Sequence, residues 1–113
     1  MDKNRKELYI RQQASEHKPD ADERILWSLH AIGKLRKEKL KKNDIERALK
    51  KGIIIEDYKM EGRPLPGCLV LGYIAKMPVH AVIAIDKDND RIFVITVYKP
   101  LSERWQDGWK KRK

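Results

Sequence analysis

Cysteine is almost missing from this chain: Cys68 stands alone among 113 residues, so no internal disulfide can form. No CxxC pair and no HExxH occurs, and three histidines with one cysteine give no zinc-site spacing. The expectation is no metal and no cofactor. No Walker loop, GxGxxG or internal repeat is present. No apolar run approaches the roughly 18 residues that span a bilayer. The opening MDKNRKELYI is charged and lacks an apolar signal region. These absences point to a cytoplasmic protein with no membrane partner.

What the chain has in quantity is charge. Charged residues make up 38% and apolar residues 41%, a balance that suits one modest globular core. Lysine and arginine number 26 against 17 acidic residues, a formal net charge of +9. So basic a small domain suggests a polyanionic partner, with nucleic acid the first candidate.

Patterning predicts helices first and strands after. Residues 1–24 read as a charged arm, helical or flexible, with Leu8, Tyr9 and Ile10 as its apolar content. Asp20 with Glu23 resembles a capping box. It predicts a helix to about Lys37, whose stripe is Ile25, Leu29, Ile32 and Leu35. A basic connector, RKEKLKK, follows, with only Leu40 pointing inward. A second helix is predicted from Asn43, with Glu46 as its N3 partner and Gly52 past its end. Strands are predicted over 53–58, 68–74, 79–86 and 91–99, separated by the loop MEGRPLPG and the short connections AKM and DKDND. The short connections favour an antiparallel sheet. The predicted class is α+β, with N-terminal helices on a four-stranded antiparallel sheet and a short helical tail carrying Trp105 and Trp109.

The chemistry-bearing candidates lie on these elements. His80 interrupts the apolar strand VHAVIAI. A three-residue loop at Lys87-Asp88-Asn89, with Asn89 left-handed, pairs Asp86 with Asp90 and hence His80 with Thr96. His80, Thr96 and Tyr98 then share a sheet face with Ile92 and Val94, whereas a two-residue loop at Asp88-Asn89 would shift the parity and separate them. His30 lies off the helix stripe, and Lys34 is one turn further on. Metal-free RNA cleavage needs a base for the 2′-hydroxyl, charge at the phosphorane oxygens and an acid for the 5′-oxygen. Two histidines, a lysine and two hydroxyls supply that set. Arg36, Lys37, Lys41, Lys42, Arg104 and Lys110 are candidate contacts to the RNA backbone. The plain alternatives are a buried core histidine at 80, a β-forming Thr96, packing tyrosines and a solvated lysine face. His17 carries no signal.

An ordered set of segments carries a resemblance. Ser28-Leu-His30-Ala with Lys34, Asp44-Ile45, Gly52, IIIEDY, GCLVLGY, PVHAVIAI and ITVYKP with Trp105 occur in series over about residues 25–112. The chain resembles a family of small prokaryotic proteins, a domain of unknown function placed in the barnase–EndoU–colicin–RelE-like ribonuclease superfamily. The resemblance implies a RelE- or barnase-like toxin domain over 25–113. Its helix histidine falls on His30, its basic position on Lys34 (where arginine is usual), its strand histidine on His80 and its Thr-x-Tyr on Thr96 and Tyr98. It also implies pairing with an antitoxin, often a small CxxC zinc-finger protein. Gly33, KLRKEK without a glycine, and the arm depart from the family pattern.

The leading expectation is a metal-independent endoribonuclease of toxin–antitoxin type that cleaves RNA, mRNA in particular. His30 and His80 are its acid and base, Lys34 its charge stabiliser, and Thr96 and Tyr98 its phosphate donors. The rival is a catalytically silent RNA-binding or partner-binding module.

Overall fold

A computed structural model describes residues 1–60 and 62–113. The loop expected over MEGRPLPG includes Glu61, which lies outside the described residues. In chain order the elements are α1 (Lys3–Glu16), β1 (Ile25–Trp27), α2 (Leu29–Glu38), α3 (Lys42–Leu49), β2 (Ile53–Tyr58), β3 (Gly67–Ile74), β4 (Met77–Asp86), β5 (Arg91–Tyr98), β6 (Trp105–Gln106) and β7 (Lys111–Arg112). The class is α+β, but the main sheet has five strands and is mixed, in the order β1-β5-β4-β3-β2. No described helix is long and apolar enough to cross a membrane.

The added strand comes from the start of the helix predicted after Asp20. Asp20 instead has a left-handed φ of 68°, in a turn closed by the Lys18–Asp22 bridge. Ile25, Leu26 and Trp27 run parallel to Ile92, Phe93 and Val94. A branched and an aromatic residue suit that extended backbone. The helix begins only after Ser28, whose side chain accepts the Ala31 N–H at 3.0 Å. The predicted stripe therefore breaks up. Leu29 is 92% exposed and Ile32 is exposed, while Ala31 and Leu35 face the core. α3 starts one residue before Asn43 and has no side-chain cap. Glu46 is buried there and accepts from Trp27 Nε1 at 3.0 Å instead of capping the helix.

The segment read as an arm is helical and packed. Asp2 caps α1 by accepting from Arg5 N–H, and Ile10 and Ala14 join the same core as the sheet. Lys6 is buried: its ammonium meets Asp57 and donates to the carbonyls of Tyr58 and Gly67. His17 is a pin rather than a spectator. Its Nδ1 accepts from the Arg24 and Ile25 N–H groups, which puts its proton on Nε2, facing Glu46 at 3.5 Å.

The helices cover one sheet face, where Ile54, Val70, Ala81, Ile83, Ile92, Val94 and Val97 are buried. β3 comes so close to α3 that a Cβ on Gly72 would sit 3.1 Å from that of Ala48. The opposite face is only partly covered. Its cover is not the predicted helical tail but the β6–β7 hairpin, which pairs Trp105 with Arg112. Asp107, Gly108 and Trp109 all have left-handed φ, the backbone of a tight turn rather than a helix.

Register across β4 and β5 also differs from the expectation. The connection is four residues long, a 3-10 turn over Lys87–Asn89 followed by left-handed Asp90, so Asp86 pairs with Arg91. That shift alone would invert the face of every β5 side chain. A bulge reverses it: Ile83 pairs with Val94 but Val82 with Thr96, leaving Ile95 without a partner. His80 consequently pairs with Tyr98, not with Thr96. Thr96 and Tyr98 share the His80 face, whereas Ile92 and Val94, expected beside them, lie on the core face with Val97.

Candidate functional site

The site is built where α2 runs along β5. β1 pairs with β5 only as far as Val94, and α2 takes over the remaining edge. Ser28 makes the junction: its N–H donates to the Val94 carbonyl at 3.1 Å and its hydroxyl to the Ile95 carbonyl at 2.8 Å. Two residues further along α2 and one further along β5, His30 Nε2 lies 3.0 Å from Thr96 Oγ1. At the far end, Glu38 accepts the Lys99 N–H at 2.8 Å. Helix and strand are thus clamped along a shared line.

Beside that line opens a cleft of about 630 Å³ between α2, the uncovered sheet face and the C-terminal hairpin. Tyr58, Tyr98 and Trp105 give it aromatic walls, and Lys34, Lys99 and Arg104 line it with positive charge. Among the described residues these three cations form no ion pair. Arg112 also lines the cleft but is committed: it donates to both Glu56 carboxylate oxygens, at 2.7 and 3.1 Å, and stacks 4.8 Å from the Trp105 ring. That pairing holds the Glu56 carboxyl below its ordinary range. Tyr58 donates to Glu56, and burial together with that bond pushes its phenol up to about 12.

His80 is not in the cleft. It is 0% exposed, roofed by Trp105, whose ring centroid lies 4.3 Å away edge-on. Nε2 donates to the Trp109 carbonyl at 2.9 Å, which fixes the proton on that nitrogen. Nδ1 is then the acceptor for the Tyr98 hydroxyl at 3.2 Å. Burial pulls its pKa below the ordinary 6.5, against the opposing pull of the Trp109 carbonyl and Glu56. It is a neutral imidazole with both nitrogens occupied. The two imidazoles expected to act as acid and base therefore do not meet in one site: His30 stands exposed beside the cleft and His80 lies sealed beneath the hairpin. What connects them is the pair Thr96 and Tyr98, two residues apart on one strand, each bonded to one histidine.

The remaining predicted contacts spread out. Arg36 and Lys37 are exposed on the last turn of α2, Lys41 and Lys42 at the start of α3, and Lys110 on the hairpin. Of the six, Arg104 lines the cleft. Sequence reasoning missed Glu38 and Lys99. Glu38 follows Lys34 by four positions, so it projects from the same side of the helix, and that spacing was the available signal. Among the described residues no three His, Cys, Asp or Glu side chains gather as a metal site. Cys68 is buried in the core, and burial pushes its thiol up to about 12.

A family profile described as a domain of unknown function, DUF4258, matches residues 27–99. The chain belongs to this family. The DUF4258 span runs from Trp27 at the end of β1 to Lys99 at the cleft, so it holds His30, Lys34, His80, Thr96 and Tyr98. It leaves out α1 and the hairpin that roofs His80. No curated protein and no solved structure gives a significant match to the chain.

Proposed function

We propose that this DUF4258 domain is an endoribonuclease that works without a metal, with the α2–β5 cleft as its RNA site and His30 as its general base. The observation that carries this reading is the exposed His30 imidazole, held by Thr96 beside a cleft whose Lys34, Lys99 and Arg104 have no acidic partner among the described residues. His30 takes the 2′-hydroxyl proton, and the 2′-oxygen bonds to phosphorus. The bond to the 5′-oxygen breaks, water supplies its proton, and a 2′,3′-cyclic phosphate remains. The three cations stabilise charge on the phosphorane oxygens. His80 takes no part in proton transfer. It fixes Tyr98 and the hairpin that form the cleft wall.

In an organism this activity is that of a toxin restrained by a partner protein. The superfamily resemblance of the Ser28–Ala31 and Thr96–Tyr98 segments supports that role.

The test is purified protein with single-stranded RNA in EDTA. The wild type should yield cyclic-phosphate ends, and His30→Ala should cut about 10²–10⁴-fold more slowly while still binding RNA. No cleavage by the wild type, or equal rates for both proteins, rejects the enzyme. Binding without turnover is the second reading. The sealed state of His80 favours it, because only one imidazole is left within reach of the cleft.

A further inference from the structure

A second depression, of about 340 Å³, lies on the same uncovered sheet face. Its floor is apolar, formed by Leu65, Ala84, Phe93 and Ile95. Val82 lines both this groove and the cationic cleft. A second link joins them at the side: Tyr58 lines the cleft, Arg63 lines the groove, and the guanidinium sits 4.7 Å over the tyrosine ring. Cleft and groove are two ends of one trough. Arg91 sits 5.1 Å over the Phe93 ring but is paired with Asp86 at 2.9 Å.

Resting on the endoribonuclease reading, we propose that the groove is a second subsite for the same single strand of RNA. Nucleotides beyond the one held in the cleft lie across Val82, with a base stacked on Phe93 and a phosphate met by Arg63. The pattern of the surface selects this occupant. Each nucleotide brings an apolar π-face and one negative charge, so an apolar floor with Arg63 at its edge and further cations along the adjoining cleft matches a strand of them. An apolar peptide would leave the Arg63 guanidinium, which has no acidic partner among the described residues, without a counter-charge. A duplex would keep its bases stacked on one another and unable to lie on the floor. The groove is also continuous with a cleft that already carries three cations free of ion pairs among the described residues.

The experiment measures binding, so it does not depend on turnover. Full-length protein is titrated with 2′-O-methyl RNA, which has no attacking hydroxyl, as a dinucleotide and as a hexanucleotide at fixed low salt. The hexanucleotide should bind at least about tenfold more tightly, the order of one stacked base. Arg63→Glu and Phe93→Ala should each remove most of that advantage and leave dinucleotide affinity within about twofold. Unchanged dinucleotide binding also certifies that the variants are folded. If Phe93→Ala unfolds, exposed Arg63→Glu decides alone. Equal affinity for the two lengths overturns the subsite, as does an advantage that survives the substitutions. A self-association lost on Phe93→Ala would overturn it too, by making the groove an interface between copies. If the wild type cleaves RNA yet shows no length advantage, the subsite alone falls. If neither oligonucleotide binds, the cleft reading falls with it.

Discussion

At the residue scale, the two histidines in His-Ala pairs part company. The same dipeptide stands at an exposed helix start and inside a buried strand, and the surroundings decide the chemistry. His80 neutral is the state the fold selects, because charging it would put a cation under Trp105 with no water. Its pKa is lower folded than unfolded, so the unfolded chain binds the extra proton first. The stability it contributes is complete above the ordinary 6.5 and is lost as pH falls below that value toward the folded pKa. Glu56 and Arg112 are the nearby charged groups, and Glu56, held low by Arg112, stays ionised through this window. Urea unfolding of wild type and His80→Gln at pH 7.5 and pH 5 should therefore show a stability gap that narrows on acidification. A gap of constant size would mean that His80 does not titrate between the folded and unfolded states. This distinction between the histidines was not legible in the sequence. It depends on which residues roof the strand, and Trp105 and Trp109 come from a segment some two dozen positions away.

At the element scale, α2 and β5 meet through Ser28. Its hydroxyl both caps the helix and donates to Ile95, the bulged residue. Ser28→Ala should cost about 1–2 kcal/mol, a lost cap plus one hydrogen bond. A chemical-denaturation midpoint unchanged within error would refute that double role. Strand positions were readable from the apolar runs, and so was the α+β order. Two features were hidden. The four-residue turn and the bulge each displace the register by one, so the pairing moves by two and the side-chain face is restored. The face shared by His80, Thr96 and Tyr98 thus emerges from a pairing different from the one the short loop suggested. β1 was hidden because Ile25 fits both a helical stripe and a strand, and only the Ser28 cap separates them. The hairpin, by contrast, did have a signal: Asp107-Gly108 is the dipeptide that favours a turn of this hand.

At the scale of the whole molecule, a charge of +9 is distributed unevenly in what it can do. Lys6, Arg24, Arg91 and Arg112 are consumed by Asp57, Glu16, Asp86 and Glu56. Lys34, Lys99 and Arg104 face the cleft with no such partner among the described residues. Binding of a single strand there should weaken with salt, and removing each phosphate-contacting cation should flatten the log–log slope by about 0.7. Lys99→Ala and Arg104→Ala, titrated with a 2′-O-methyl hexanucleotide over a salt series, provide the measurement. Slopes that match the wild type in both variants would move the electrostatic contact to Arg36, Lys37, Lys41 or Lys42.

The hairpin has a practical corollary for anyone handling the protein. Lys113 N–H donates to the carbonyl of Arg104, a cleft residue, at 2.9 Å. A purification tag fused after Lys113 would emerge beside the cleft, and its own charge would compete there with any nucleic acid. Fusions placed ahead of Met1, on the exposed start of α1, avoid that interference.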